Sequence, residues 1–560
     1  MRQKTNTRLQ KKYNRLFKRL QHALRSGQFL TYSAAKKARL LARLQGYENR
    51  LLQKGVAVLG TAALLMSVGE ILGQQPVRVG EEFRVNSFTK DSQVSTSMAM
   101  DGDGNFVVVW LSEEQDEGYY DGIYGQRYNK HGDRLGSEFK INPDTLLNYK
   151  EEVYPSVAMD DDGNFVAVWA DYLNEDGQYF HVYGQRFDNE GITIDEKFQI
   201  STDSIGNIES ISVAMDDDGD FAVVWNHALS YSSTFSTITG QLYDKSGDRI
   251  GTEFKVTDEN FLGFYNINSN IAMDSEGDFA VTWVTYIGGE LAYTSVYANT
   301  YHKDGTVKKE IEVTENIVGG QAIPSIAMND NGDFIIAWEN ASIGDDTVDI
   351  YARKFNNEGE AITEEFKVNT FVKGYQGLPK VDIDNGGDFI VTWDGEDEDE
   401  DSDYSVYAQL YNNEAIPLGD EFIVNNYNFG EQRLPYIKMD NEDGFIVIWN
   451  GEGEDGESDI FGQLFSLNTV STIKYQEEEK IIISPNPVGQ YLYMEIKNRY
   501  PTLANCTVLD VNGKVLLQQS HQILTGQNEL HFNIESLPTG QYFLQIQTEE
   551  GIEHRKFVKQ

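Results

Sequence analysis

The sequence predicts an all-β protein with a seven-bladed β-propeller, a small C-terminal β-sandwich after it and a basic helical leader before it. The first observation is a period, since consecutive tryptophans lie 55 to 59 residues apart. They are Trp110, Trp169, Trp225, Trp283, Trp338, Trp393 and Trp449. The second observation is the repeated sequence around them. Each Trp ends a block such as SVAMDDDGNFVAVW, and blocks such as VYGQRFD and EFKVN follow it. One structural unit is therefore used seven times.

The unit is predicted to contain four short antiparallel strands. SVAMD and FVAVW alternate around an Asp/Asn/Gly turn, which is a hairpin signal, and the YGQRF and EFKVN segments describe a second hairpin. Four strands in a unit of about 50 residues, repeated seven times, are typical of a β-propeller. A long β-solenoid is the alternative.

An additional strand segment favours the propeller. EFRVN occurs at residues 82–86, ahead of the first unit, while the last unit stops after FGQLF at Phe465. The N-terminus is therefore expected to supply the missing strand of the seventh blade, which places the propeller at 82–466. Such an overlap removes the open edge of a ring, and a solenoid has no use for it.

The composition excludes several classes of protein. The chain has 560 residues and 46 Lys+Arg against 89 Asp+Glu, a net charge of −43, so its bulk is not expected to bind nucleic acid. Its 40% hydrophobic content is too high for a disordered chain. Because Cys506 is the one cysteine, intrachain disulfides and zinc ribbons are excluded.

Residues 1–73 are predicted to be a basic leader and signal segment. Residues 1–54 hold 15 Lys/Arg and one acid, Glu48, with leucines at helical spacing. The uncharged segment 55–68, GVAVLGTAALLMSV, has 14 residues, the length of a signal-peptide core and less than a membrane-spanning helix needs. A retained signal anchor and a DNA-binding arm are the alternatives.

The Asp-rich turns are interpreted as structural hairpin turns. DDDGN at 160–164 and DDDGD at 216–220 resemble the start of a calcium loop, which also needs a bidentate Glu at its twelfth position. That position holds Ser112, Asp171 and His227 in the first three units. The turn interpretation is therefore favoured over calcium binding.

Two further repeated features are assigned to structure. Each Trp closes an alternating strand, where its large apolar surface is expected to pack between adjacent sheets. Arg127, Arg186 and Arg353 are assigned to one repeat position with a structural role.

The loops that follow the tryptophans are acidic and aromatic and are expected to emerge on one face of the disc. They cover residues 113–121, 171–176, 394–404 and 451–459. This face is predicted to concentrate negative potential at the channel mouth and to bind Ca²⁺ or cationic and carbohydrate ligands, with simple solvation as the alternative. The candidate residues are Tyr119, Tyr120, Tyr172 and Tyr404 for ligand stacking, and Asp397, Asp399, Asp401 and Asp403 for Ca²⁺. No other cofactor is predicted.

No catalytic residue is predicted. The sequence lacks HExxH, GxSxG, a P-loop and a GxGxxG that opens a helix. Acid pairs abound, and nothing in the sequence selects the two carboxylates that a glycosidase needs. An enzyme is expected to carry polar residues unique to one or two units, and the units look repetitive, which favours binding over catalysis.

Residues 480–560, after a linker at 467–479, form a separate module. Alternating strands with DVNGK and TEEG turns predict the small β-sandwich. Its motifs are SPNP, LDVNGK, LPTGQYFL and KFVK, which contain Ser484, Pro485, Asn486, Pro487, Gly513, Gly540, Lys556 and Lys559. The module closely resembles the type A C-terminal sorting domain of the Bacteroidetes type IX secretion system. That resemblance implies an address read by the outer-membrane export machinery, which is then removed or exchanged for a lipopolysaccharide anchor.

The central repeats are similar to secreted bacterial β-propeller repeats of uncharacterised role. With the sorting module, they predict a protein that is secreted or attached to the cell surface and meets a membrane only during export or through a lipopolysaccharide anchor. The propeller is expected to bind a glycan or a protein ligand, as an adhesion module does. A polysaccharide-active enzyme and a structural surface-layer component are the alternatives.

Overall fold

The computed structural model describes the repeat region and most of the C-terminal module. The described residues are 76–467 and 481–559, apart from 117–119, 144–153, 173–179, 204–206, 229–235, 258–264, 288–292, 316–318, 342–346, 372–373, 397–403, 427–429, 442–443, 454–455, 485–490, 499–501, 511–513, 524–525, 536 and 549–550. The predicted leader and nearly all of the predicted linker lie outside these ranges. Within them the regular structure is entirely β, which confirms the predicted class. No helix in the described part of the chain is long and apolar enough to cross a membrane.

The repeat region forms seven four-stranded antiparallel sheets, and in each the strands are called first to fourth. The first six sheets, separated by semicolons, are β2 (Gln93–Met100), β3 (Phe106–Asp116), β4 (Tyr120–Tyr128), β5 (Arg134–Lys140); β6 (Ser156–Met159), β7 (Phe165–Tyr172), β8 (Phe180–Phe187), β9 (Phe198–Gln199); β10 (Asn207–Met215), β11 (Phe221–Ala228), β12 (Ser236–Tyr243), β13 (Arg249–Lys255); β14 (Tyr265–Met273), β15 (Phe279–Ile287), β16 (Tyr293–Tyr301), β17 (Val307–Glu312); β18 (Gly320–Met328), β19 (Phe334–Ala341), β20 (Val348–Phe355), β21 (Phe366–Lys367); β22 (Gln376–Ile383), β23 (Phe389–Glu396), β24 (Tyr404–Tyr411), β25 (Phe422–Ile423).

The seventh sheet joins the two ends of the repeat region. It contains β26 (Gln432–Met439), β27 (Gly444–Glu452), β28 (Ser458–Ser466) and, as its fourth strand, β1 (Val77–Arg84). Strand β1 pairs antiparallel with β28, with Val77 opposite Ser466 and Arg84 opposite Phe461. The additional EFRVN segment therefore completes the last sheet.

The first strands contact one another in a closed series. Strand β2 contacts β6, each first strand then contacts that of the next sheet, and β26 of the seventh sheet contacts β2 again. The repeated four-stranded sheets are thus arranged as in a propeller, with the fourth strands farthest from the centre.

The apolar core lies between neighbouring sheets. Trp169 of the second sheet, for example, packs with Val107 and Val109 of the first, and all seven Trp side chains are among the largest fully buried groups of the described chain. Trp110 of the first sheet packs with Ile446 and Ile448 of the seventh. The expected packing role of the tryptophans is confirmed, and burial of such large apolar surfaces stabilises every interface between sheets.

The end of each fourth strand is tied to its own sheet by one repeated hydrogen bond. In all seven units the Asn, Ser or Thr that follows EFxV accepts a backbone N–H of the third strand. In the last unit Asn86 accepts the N–H of Ile460 at 2.8 Å. A buried N–H left without an acceptor would destabilise the strand, which explains why only side chains with an acceptor oxygen occur here.

The assignment of Arg353 to the same repeat position as Arg127 and Arg186 is wrong. Arg127 lies opposite Val107 and Arg186 opposite Val166, whereas Arg353 lies opposite Ile336 and Lys354 takes the equivalent place opposite Ile335. A shift of one residue places a side chain on the other face of a strand. The assignment failed because it followed residue type rather than register.

Lys354 performs the task of the two arginines. Its ammonium is buried and donates to the carbonyls of Gly387 at 2.8 Å and Asn413 at 3.1 Å, both in the next sheet. Arg127 likewise donates to the carbonyl of Asn189, and Arg186 to that of Lys245, in their following sheets. This position therefore links neighbouring units, as a structural role requires.

Residues 470–560 form a second compact unit with two antiparallel sheets. One contains β29 (Ile481–Ser484), β30 (Tyr491–Asn498) and β33 (Gly526–Asn533), and the other contains β31 (Thr502–Asp510), β32 (Val515–Ile523), β34 (Gly540–Thr548) and β35 (Gly551–Lys559). Both sheets contribute to one core, in which Leu492 and Phe532 meet Cys506 and Leu544. Burial raises the pKa of the Cys506 thiol to about 11, as expected for a core residue.

Candidate ligand-binding cleft

The turns between the first and second strands use their carboxylates internally. In the third unit the side chain of Asp216 accepts the backbone N–H of Asp220 at 2.8 Å, and the same contact recurs in every unit from the first residue of the turn. These are Asx turns, in which a side-chain oxygen replaces a backbone acceptor. Among the described residues no group of His, Cys, Asp or Glu is arranged to hold a metal ion.

The opposite end of the second strand differs from unit to unit. The residues directly after the seven tryptophans are Leu111, Ala170, Asn226, Val284, Glu339, Asp394 and Asn450. Four units place an acid or an amide there and three place an apolar group, and the fifth to the seventh are three consecutive polar units. These three units contain the candidate site.

Asp394 and Arg433 form the centre of the polar cluster. The Asp394 side chain is fully buried, and its Oδ2 accepts a hydrogen bond from Nε of Arg433 at 2.7 Å. Burial raises the pKa of the Asp394 carboxyl to about 6, although the bond from Arg433 opposes the shift. This carboxyl therefore changes its charge in a range where ordinary aspartates are fully ionised.

Glu339 lies beside this pair on the fifth sheet. Its Oε1 accepts the hydroxyl of Tyr375 at 2.8 Å and the backbone N–H of Leu378 at 2.7 Å. Burial raises the pKa of the Glu339 carboxyl above its usual range, and the negative charge of Glu339 in turn raises that of Asp394. A buried carboxyl of the fifth sheet thus contributes to the raised pKa of a buried carboxyl of the sixth sheet.

Tyr404 covers the guanidinium of Arg433. The centre of that guanidinium lies 4.1 Å from the Tyr404 ring centroid, a cation–π distance, and the Tyr375 ring meets Tyr404 edge-on at 6.1 Å. The Tyr404 hydroxyl donates to Glu396 at 3.4 Å. One predicted ligand-binding residue therefore belongs to the cluster.

A cleft of about 570 Å³ opens beside the cluster. Its described wall contains Ser92, Leu378, Glu431, Arg433, Leu434, Asn450, Gly451, Glu452, Gly456, Glu457 and Ser458. Arg433 is thus the side chain that the cleft and the buried carboxyls share.

The backbone beneath the cleft is irregular. The first strands of the sixth and seventh sheets each contain a β-bulge, at which Leu378 has φ 52° and Leu434 φ 56°. The same bulge recurs in other first strands, where Ser95, Asn268 and Ile323 also have positive φ, so it belongs to the fold of the repeated unit. The bulges bring both leucines to the wall, where Leu434 is 43% exposed.

Two buried oxygens at the site accept no hydrogen bond. They are Oδ1 of Asp394 and Oδ1 of Asn450. Both residues directly follow a Trp, in adjacent sheets, and Asn450 lines the cleft. Buried acceptors are nearly always paired in native proteins, so the unpaired oxygen of Asn450 on the cleft wall points to a missing donor.

The other predicted site residues are distributed more widely. Tyr120 begins β4 of the first sheet and Tyr172 ends β7 of the second sheet. Tyr119, Asp397, Asp399, Asp401 and Asp403 lie outside the described residues. Their roles stay predictions.

The sorting motifs are partly described. Ser484 ends β29, Gly540 begins β34, and β35 contains Lys556 and the buried Lys559. Pro485, Asn486, Pro487 and Gly513 lie outside the described residues.

Comparison with solved structures yields distant likenesses. A protein of unknown function from Dyadobacter fermentans is 13% identical, covering 70% of this chain and 99% of that chain with a TM-score of 0.43. The α-L-arabinofuranosidase of Fusarium graminearum is 11% identical, covering 57% of this chain and 95% of that chain with a TM-score of 0.39. The α-L-arabinanase of Penicillium chrysogenum is 10% identical, covering 70% of this chain and 98% of that chain with a TM-score of 0.38. No curated protein matches the sequence.

Comparison with protein families identifies the C-terminal module. Residues 482–560 match the model of the secretion system C-terminal sorting domain, which confirms the resemblance found in the motifs. Such a domain implies interaction with the type IX secretion machinery. The protein is therefore one that is secreted to the cell surface or the extracellular space.

Proposed function

We propose that the protein is a secreted or surface-attached seven-bladed β-propeller that binds a glycan in the cleft beside Arg433, with a C-terminal β-sandwich that serves export. The ring of seven sheets, closed by β1, supports the blade count. The two sheets around one core support the sandwich. The single observation that carries the binding function is the unpaired acceptor oxygen of Asn450 on the wall of an open cleft.

A hydroxyl-rich ligand fits the chemistry of the cleft. Sugar hydroxyls donate to acceptor oxygens, and the apolar face of a sugar ring packs on aromatic and aliphatic groups. The cluster offers Tyr404 for such packing and the cleft wall adds Leu434. A concave site with apolar surface and a few convergent polar groups is typical of small-ligand binding.

Glycan binding is tested with the full chain on a glycan array, followed by calorimetry on the best ligand. Substituting Tyr404→Ala removes the stacking surface and is expected to weaken binding at least tenfold. Tyr286→Ala, which removes a tyrosine 40% exposed at the same end of the fourth sheet, is the matched control and should leave affinity unchanged. An array without any ligand, or equal losses for both variants, would contradict the proposal.

A polysaccharide-active enzyme is the second candidate, and the paired buried carboxyls favour it. A carboxyl with a pKa of about 6 suits a general acid at neutral pH, and glycosidases use two carboxyls in unequal environments. Release of new reducing ends from a polysaccharide that is abolished in both Asp394→Asn and Glu339→Gln would establish hydrolysis. Binding without product release would leave the protein a binding module.

The proposed calcium role of Asp397, Asp399, Asp401 and Asp403 is tested separately. Calorimetric unfolding with and without Ca²⁺ should show stabilisation in the parent protein and less in the variant with Asn at all four positions. If Ca²⁺ leaves the parent's melting temperature unchanged, these carboxylates serve solvation.

A further inference from the structure

The cleft wall presents many hydrogen-bond acceptors and few donors. Nδ2 of Asn450 already donates to the carbonyl of Gln93 at 2.6 Å and to Oγ of Ser458 at 3.2 Å. Because a carbonyl can only accept, these contacts set the orientation of the amide and leave its Oδ1 as the group that lacks a partner. Asn450 is 5% exposed, so this oxygen has no access to bulk water in exchange.

Arg433, the cation on the wall, is already engaged. Its Nε donates to Asp394, its NH1 lies 3.7 Å from a carboxylate oxygen of Glu431, and its plane covers Tyr404. An anionic ligand would have to compete with two carboxylates for this guanidinium. The cleft is therefore poorly suited to uronic acids or sulfated sugars.

The balance of charge around the cleft is strongly negative. Glu431, Glu452 and Glu457 stand on the described wall, and Asp394 and Glu339 lie behind it, opposite the single guanidinium of Arg433. A concave surface with one dominant sign of charge attracts ligands of the opposite sign.

Among sugar substituents, a protonated amine best complements these acceptor oxygens and negative charges. An ammonium group has three donors and no acceptor, whereas a hydroxyl adds acceptor sites, and an acetamido group adds a carbonyl that the wall has few donors to satisfy. An ammonium also meets the carboxylates through charge-assisted hydrogen bonds, which are the stronger kind.

We propose that the cleft selects glycans that carry a free, protonated amine, and that amino sugars are preferred over their N-acetylated and unsubstituted counterparts. This inference rests on the proposed glycan-binding function. The amine lies on the cleft wall beside Asn450, whose Oδ1 lacks a donor, and the glutamates of the wall supply the long-range attraction.

The proposal is tested by calorimetry on the full chain at pH 7 and low salt. The probes are three β-1,4-linked disaccharides that differ only at C2: the diamine of glucosamine, its di-N-acetylated form and cellobiose. The diamine is expected to bind at least tenfold more tightly than either other sugar, and added salt should reduce that preference because it screens the glutamates.

Glu431→Gln and Glu457→Gln should each reduce the affinity for the diamine and leave that for the N-acetylated sugar unchanged. Both glutamates are exposed, so these variants are expected to fold. Glu310→Gln, on the exposed part of the fourth strand of the fourth sheet, is the control for charge alone and should have a much smaller effect.

The outcomes distinguish a failure of the amine selectivity from a failure of the proposed glycan binding. Equal affinity for the diamine and cellobiose would overturn the amine selectivity and leave glycan binding intact. Failure of all three sugars together with an empty glycan array would overturn both. Tighter binding of a lysine-rich peptide than of the diamine would overturn the glycan assignment in favour of a cationic protein.

Discussion

The two ends of the second strand differ in how far they repeat. At the end where the strand begins, each unit has an Asp or Asn whose side chain accepts the same backbone N–H. At the Trp end, the next residue is apolar in three units and polar in four. Groups that every unit carries serve the unit itself, whereas groups that differ between units are available to serve a ligand. The residues at the Trp end are therefore the candidates for ligand binding.

The largest expected effect concerns closure of the ring of sheets by β1, on which both ends of the second strands depend. Deleting residues 74–90 removes β1 together with Asn86 and leaves β28 as an unpaired edge, so we expect loss of cooperative unfolding or aggregation. Denaturation followed by circular dichroism and light scattering measures both. Deletion of residues 470–479, next to the boundary of the second unit, is the control and should be mild. Equal stability of the two truncations would show that the ring closes in another way.

The second prediction tests whether the buried carboxyl of Asp394, at the Trp end, destabilises the fold when it is ionised. Because burial raises the folded pKa of Asp394 to about 6, the folded protein binds a proton more tightly than the unfolded chain, and this group loses stability as pH rises from about 4 to 6. Arg433, Glu339, Tyr375, Tyr404 and Glu431 face the same cluster and are retained in an Asp394→Asn variant.

Thermal unfolding of Asp394→Asn and the parent should therefore diverge with pH. Their melting temperatures should be closest near pH 4, and at pH 7 the variant should gain relative to the parent by up to about 3 kcal/mol, the linkage value of a two-unit shift. A difference independent of pH would show that Asp394 is not protonated in this range.

The third prediction concerns the repeated closing contact of the fourth strand. Asn142→Ala removes the acceptor at 2.7 Å from the Ile123 N–H and should cost about 1–3 kcal/mol without changing ligand affinity. Asn142→Thr is the matched control, since Thr257 and Thr314 make the same contact in other units. Reduced ligand affinity in the folded Ala variant would contradict the inference that repeated positions serve the unit and variable positions serve the ligand.

The smallest expected effect is at the Asx turns. Asp216→Ala should destabilise the protein by about 1 kcal/mol through loss of the bond from the Asp220 N–H. Asp216→Asn recreates the Asn329–Asp333 turn of the fifth unit and should be neutral. Chemical denaturation distinguishes them, and a change in Ca²⁺ response on either substitution would instead indicate a metal role for the turn.

The sequence predicts the regular part of this fold well because that part depends on local signals. The Trp period, the two hairpins of each unit and the additional EFRVN segment are all visible in the printed chain. Burial of the tryptophans follows from their size and from the alternation of the strands.

The candidate site was missed because it depends on register and on contacts between units. Asp394 and Arg433 are 39 residues apart and belong to neighbouring sheets. The first strands look regular in sequence, and no residue pattern in them indicates that Leu378 and Leu434 lie at bulges with positive φ. The usable signal was the residue after each Trp, where the chain departs from its own repeat at Glu339 and Asp394.

Closure by β1 also constrains how the chain reaches its native state. The bond between Asn86 and Ile460 joins residues 374 apart in sequence. Relative to a hairpin of roughly 20 residues, such a loop adds about 2–3 kcal/mol of chain entropy, and folds dominated by distant pairings form slowly. The seventh sheet can be completed only when the whole repeat region has emerged, so a chain interrupted in any earlier unit keeps β1 without its partner. The final strand pairing thus reports that the repeat region has been synthesised as far as β28.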